Sequence, residues 1–61
     1  GLNAGKIWQF IDSNGECTFK TLKKELQLKE SELYLAVGWL AGEKKIGMYE
    51  KEGNLVYFLF Y

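Results

Sequence analysis

Leu33-Tyr34-Leu35-Ala36-Val37-Gly38-Trp39-Leu40-Ala41-Gly42-Glu43-Lys44-Lys45-Ile46-Gly47-Met48-Tyr49-Glu50-Lys51 contains a change of hydrophobic period. In its first half Leu33, Ala36, Val37 and Leu40 recur at i, i+3, i+4 and i+7, the spacing of one helical face. A helix is predicted over Ser31–Glu43, and Lys44 and Lys45 at its end suit the negative pole of the helix dipole. From Ile46 the period drops to two: Ile46, Met48 and Glu50 alternate with Gly47, Tyr49 and Lys51. Side chains that alternate in this way belong to a strand. Lys51-Glu52-Gly53-Asn54 is a turn signal, and Leu55–Tyr61 follows as a second strand, so the two runs form an antiparallel hairpin.

Upstream, two shorter helices are predicted. Ala4, Ile7, Trp8 and Ile11 fall at i, i+3, i+4 and i+7, giving a first helix over Asn3–Ser13 with Asn3 as its N-cap and Asn14-Gly15 as its stop. Glu16–Thr18 is long enough only for a strand stub, expected to add a third strand at the hairpin edge. Thr18 then caps a second helix over Thr18–Leu26, with Phe19, Leu22 and Leu26 inward and Lys20, Lys23, Lys24 and Gln27 outward. Gln27–Glu30 is a turn with Leu28 as an inward plug. Two helices joined by so short a turn make a helix-turn-helix. The expected core is Ile7, Trp8, Ile11, Phe19, Leu22, Leu26, Leu33, Val37, Leu40, Ile46 and several strand residues.

Composition narrows the function classes. The chain has 61 residues, of which 48% are hydrophobic and 16% aromatic, with formal net charge zero. That length is one domain, 1–61, with no room for a large α/β enzyme. Gly1 stands where a natural start would be Met and reads as a cloning remnant. No histidine and one cysteine remove the usual zinc sites and any disulfide framework. No His base, Ser-His arrangement or phosphate loop is present, so no enzyme, cofactor or metal is expected. Cys17 is expected as a buried structural thiol in a reducing compartment. No apolar run approaches the length of a membrane span and no signal peptide pattern is seen, so a cytoplasmic chain is expected.

The segment Leu33–Ile46, together with Asn3-Ala4-Gly5-Lys6-Ile7-Trp8, resembles the winged helix-turn-helix superfamily, and more narrowly its small stand-alone bacterial domains of uncharacterised function. The resemblance covers essentially the whole chain. It implies an α+β fold in which three helices pack on a small hairpin, the wing, with a possible third short strand. It also implies a DNA-binding, non-enzymatic role of the kind found in transcriptional regulators. In such domains the third helix enters the major groove, the second crosses the phosphates and the wing touches backbone or minor groove. Here that places base reading at Ser31, Glu32, Tyr34, Leu35 and Trp39, and phosphate contact at Lys20, Lys24 and Lys51.

The residues themselves also support other readings. All eight basic residues are lysine, without one arginine, the usual reader of guanine. Opposite the inward face of the third helix lie Leu35, Gly38 and Gly42, flanked by Tyr34 and Trp39. Such an apolar outer face is either a docking surface or, for Trp39 and Tyr34, part of a tiny core under the wing or the first helix. Three function classes follow. One is a regulator that contacts double-stranded DNA through Lys20, Lys24, Ser31, Tyr34 and Lys51. The second is a protein-interaction module built on Leu35, Gly38, Trp39 and Gly42. The third is a homodimer that buries that face or pairs the last strand. The aromatic residues of the hairpin could stack single-stranded bases, but core and sheet packing is their expected role.

Overall fold

The computed structural model describes residues 2–60, with the side chain of Leu2 not described. In chain order the elements are α1 (Leu2–Asn14), β1 (Cys17–Thr18), α2 (Phe19–Leu26), α3 (Glu30–Gly42), β2 (Ile46–Lys51) and β3 (Asn54–Leu59). The three strands form one antiparallel sheet in the order β1-β3-β2, so the stub pairs with the last strand. This is the α+β arrangement of a winged helix-turn-helix. Gly1 and Tyr61 lie outside the described residues.

Each helix is ended by local chemistry. The expected N-cap at Asn3 is wrong: Asn3 is already helical, and α1 takes up the residue before it. Gly15 stops α1 in the left-handed region at φ 84, and its N–H donates to the Ile11 carbonyl at 2.7 Å. Thr18 caps α2 from outside the helix, its hydroxyl accepting from the Thr21 N–H at 3.1 Å. At the start of α3 the Glu32 carboxylate accepts from the Lys29 N–H at 2.9 Å. That bond satisfies a donor just ahead of the helix and shifts its start to Glu30, one residue earlier than expected.

The end of α3 departs from the usual chemistry. Lys45 N–H donates to Leu40 O and Lys44 N–H to Ala41 O, both at 3.0 Å. This nested pair is the Schellman arrangement. Its left-handed position is normally glycine, yet here Lys44 sits at φ 60. The same device recurs in the hairpin, where Glu52 and Gly53 both have positive φ between the paired residues Lys51 and Asn54. That is the two-residue turn whose twist matches the strands.

The core is the set of side chains the helical spacing selects: Ala4, Ile7 and Ile11 from α1, Leu22 from α2, and Leu33, Ala36, Val37 and Leu40 from α3. Ile46 and Tyr57 close it from the sheet. Trp8, Phe19 and Leu26, expected inside, are half-buried against it, as are Leu28 and Cys17. Cys17 is thus not fully enclosed, although burial still pushes its thiol pKa up. The last strand ends at Leu59 and not at Tyr61. Phe60 leaves the ladder after one further bond, its N–H donating to Lys45 O.

Alternation leaves β3 apolar on both faces, and the register resolves which face is inward. Tyr57 pairs with Cys17 and Met48, and Leu59 with Ile46, so that row faces the helices. Tyr57 is 1% exposed. The outer row carries Gly47, Tyr49, Val56 and Phe58, with Tyr49 and Phe58 rings 6.0 Å apart and Phe58 and Phe60 rings 5.5 Å apart, edge to face. A Cβ at Gly47 would lie 2.5 Å from the Phe58 ring and 2.9 Å from the Phe60 ring, so the two aromatics cover the bare glycine. The Tyr49 hydroxyl donates to the Glu16 carboxylate, which ties the loop before β1 across the sheet.

Two outcomes follow for stability. Lys44→Gly relieves a left-handed lysine and is expected to raise the unfolding free energy by about 0.5–1 kcal/mol in urea melts; a loss would contradict the assigned φ. Burial, helped by the charge of Tyr34, raises the Tyr57 pKa above its usual 10.0. The neutral phenol is therefore the form the fold favours. Its contribution is complete below the unfolded pKa and is lost as pH rises through the folded one. Unfolding free energy is expected to fall above about pH 10, and to fall less steeply in Tyr57→Phe.

Candidate nucleic-acid and protein interfaces

The lysines of α2 are grouped by helical spacing. Lys20, Lys23 and Lys24 are i, i+3 and i+4, and all three are exposed. Together with Leu28, which the tight turn after α2 folds back toward the core, they line an open groove of about 320 Å³. Every charged group in that lining is positive. The turn forms because Gln27 adopts φ 53, which lets its N–H and that of Leu28 both reach the Lys23 carbonyl.

The start of α3 lies beyond this turn. Ser31 is exposed there between Glu30 and Glu32, both also exposed. These acids complement the positive pole of the helix. They also put negative charge where a DNA phosphate would approach. Tyr34 is 51% exposed but not free: its ring lies 4.4 Å from that of Phe19 at 32°. One face of the phenol is thus occupied by α2. Lys51 sits at the opposite end of the chain's functional candidates, at the tip of the hairpin opposite Asn54. The structure thus groups Lys20 with Lys24 on one face of α2, joins Tyr34 to that helix, and sets Lys51 on a separate element.

The outer face of α3 is exposed. Leu35 is 77% exposed and Trp39 is 49% exposed. Gly38 and Gly42 lie on the same side, and among the described residues a Cβ at either would meet nothing within 4 Å. Four apolar or small residues expected as an interface thus share one solvent-facing stripe, while Leu33, Ala36, Val37 and Leu40 are buried behind them. Trp39 is not in the core under the hairpin. It forms a wall of a second groove, of about 500 Å³, lined by Ala4, Gly5, Trp8, Gln9, Leu40 and Lys45 as well. The Lys45 ammonium stands 5.7 Å from the Trp39 ring centroid, within cation–π reach. The roles of Gln9 and Lys45 in this groove are not visible in sequence. Gln9 meets Trp39 because α1 packs across α3, and Lys45 because the turn that ends α3 returns it to the Trp39 ring.

Among the described residues, no three His, Cys, Asp or Glu side chains are placed to hold a metal ion. Nor, among those residues, is any helix long and apolar enough to cross a membrane.

Residues 1–59 match the family described as winged helix-turn-helix domain (DUF2582). No curated protein matches the chain. The match spans nearly the whole sequence and agrees with the three helices, the paired stub and the hairpin, so the chain belongs to this winged helix-turn-helix family.

The two sides of α3 are expected to respond differently to truncation. Leu33→Ala, in the buried row, should cost about 2–5 kcal/mol. Leu35→Ala, two positions away but exposed, should change stability by no more than about 0.5 kcal/mol. Thermal melts of both variants at one protein concentration check this, and an equal loss in the two would place Leu35 in the core.

Proposed function

We propose that this winged helix-turn-helix chain is a non-enzymatic, cytoplasmic nucleic-acid-binding module of the kind used in transcriptional regulation. It engages double-stranded DNA mainly through phosphates. The observation that carries this reading is the basic groove at α2, with Lys20, Lys23 and Lys24 exposed around Leu28 within the helix-turn-helix. Lysine ammonium groups are suited to phosphate as point charges rather than to base edges. Ser31 and the hydroxyl of Tyr34 are then the groups of α3 available for base or sugar contact, and Lys51 the wing contact. Two or three phosphate contacts support weak, salt-sensitive binding, with a slope of log K on log salt of about −2 to −3.

A second reading is favoured by one specific observation, the 77% exposure of Leu35 beside half-exposed Trp39 on an open glycine-bearing face. On that reading α3 docks a protein partner or a second copy through Leu35, Gly38, Trp39 and Gly42. Glu30 and Glu32 at the start of the same helix fit it better than they fit a phosphate backbone.

Fluorescence anisotropy with a labelled generic duplex, followed from about 50 to about 200 mM salt, separates the two. The nucleic-acid reading predicts saturable binding at low salt and a slope that falls by about 2 in Lys20→Ala/Lys24→Ala. It predicts no change in DNA affinity for Leu35→Ala. Binding that ignores both lysines, or no binding at low salt, contradicts it. Association of the chain that Leu35→Ala weakens, in sedimentation without DNA, would support the second reading.

A further inference from the structure

The groove between α1 and α3 is a separate feature from the lysines of α2, and the nucleic-acid reading makes no use of it. Its volume of about 500 Å³ falls in the range of small-ligand sites. Its apolar base is Ala4 and Leu40, both buried, and both tryptophans of the chain line it. Among the described residues, the polar side chains of its lining are Gln9, Lys45 and the two indole-bearing tryptophans, and Lys45 is the one charged residue.

We propose that this groove binds a small planar aromatic carboxylate. Indole walls offer flat, polarizable faces on which an aromatic ring can lie offset or edge to face. The Lys45 ammonium beside the Trp39 ring supplies the charge that a carboxylate requires, and Gln9 adds a neutral donor. Lys44 and Lys45 follow the negative end of α3 and offset its charge there. Its carbonyls at Trp39, Leu40 and Ala41 already accept hydrogen bonds from the N–H groups of Glu43, Lys45 and Lys44, each at 3.0 Å. Gly5 leaves the groove open: among the described residues, a Cβ there would meet no atom within 4 Å. The complementary ligand therefore carries one negative charge at one end of a flat apolar body. A neutral aromatic would forgo the charge attraction to the exposed Lys45 ammonium, and a saturated acid would lose the indole contacts.

The chain has two tryptophans, so its two indole N–H signals in an NMR spectrum report directly on this groove. The full chain is titrated with naphthoate, with naphthylmethanol as neutral isostere and with cyclohexanecarboxylate as non-aromatic acid. Naphthoate is expected to move both indole signals saturably, with about tenfold weaker binding in Lys45→Gln, the loss expected for one charged hydrogen bond. Gly5→Leu is expected to abolish the shifts while the amide spectrum of the core stays dispersed, since position 5 is exposed and helical. Four results would overturn the proposal. They are no saturable indole shift with naphthoate, equal affinity for naphthylmethanol, equal affinity for cyclohexanecarboxylate, and full naphthoate binding by folded Gly5→Leu.

Discussion

Tyr57 is the contact on which the other elements depend. It is the largest fully buried side chain, at the centre of the middle strand. Its backbone pairs β1 on one side and β2 on the other, through Cys17 and Met48. Its ring enters the cluster formed by Ile7, Leu22 and Leu33, one residue from each helix. Phe19 lies 6.4 Å from it and carries the contact on to Tyr34 of α3. A 61-residue chain has roughly 3–9 kcal/mol of stability to draw on. Removing one large aromatic from such a core costs about 3–5 kcal/mol. The joint between helices and sheet therefore rests on very few side chains.

That economy shapes the surface. With Ile46 and Tyr57 closing the sheet side, the core is complete using only one face of α3. The other face remains in solvent with Leu35 and Trp39 on it. Exposed helical glycines at 38 and 42 each cost about 0.5–1 kcal/mol relative to alanine, and no neighbour within 4 Å requires them to be glycine. Packing among the described residues does not account for their presence. Three of the eight lysines, Lys20, Lys23 and Lys24, are grouped on α2 instead, so the basic cluster and the apolar outer face lie on adjacent helices of one helix-turn-helix.

Much of this was legible in the sequence because periodicity is a local signal. The spacing of Leu33, Ala36, Val37 and Leu40 identifies a buried row, and the change of period at Ile46 marks the hairpin within a residue. Thr18 as a cap and a turn within Lys51–Asn54 are equally local, although the turn tightens to Glu52-Gly53 and Asn54 joins the strand. The misses are non-local or lie where local signals conflict. Asn3 has cap chemistry, but the helix runs through it. The last strand is apolar on both faces, so only its register against Cys17 and Met48 shows that Tyr57 faces the helices and Phe58 does not. For the candidate site, the lysine cluster and the outer face of α3 could be read directly from spacing. The stacking of Tyr34 on Phe19, and the meeting of Trp8, Trp39 and Lys45 in one groove, depend on helix crossing and leave no mark in any short stretch of sequence.

On the proposed function, nucleic acid is engaged through α2, the start of α3 and the hairpin tip. An amide NMR titration of the chain with a generic duplex at low salt tests it residue by residue. Salt-reversible shifts are expected at Lys20, Lys23, Lys24, Ser31 and Lys51, with the core amides around Tyr57 unmoved. Shifts confined to Leu35, Gly38 and Trp39 that depend on protein concentration and not on DNA would contradict it. They would assign the outer face of α3 to contact between protein chains.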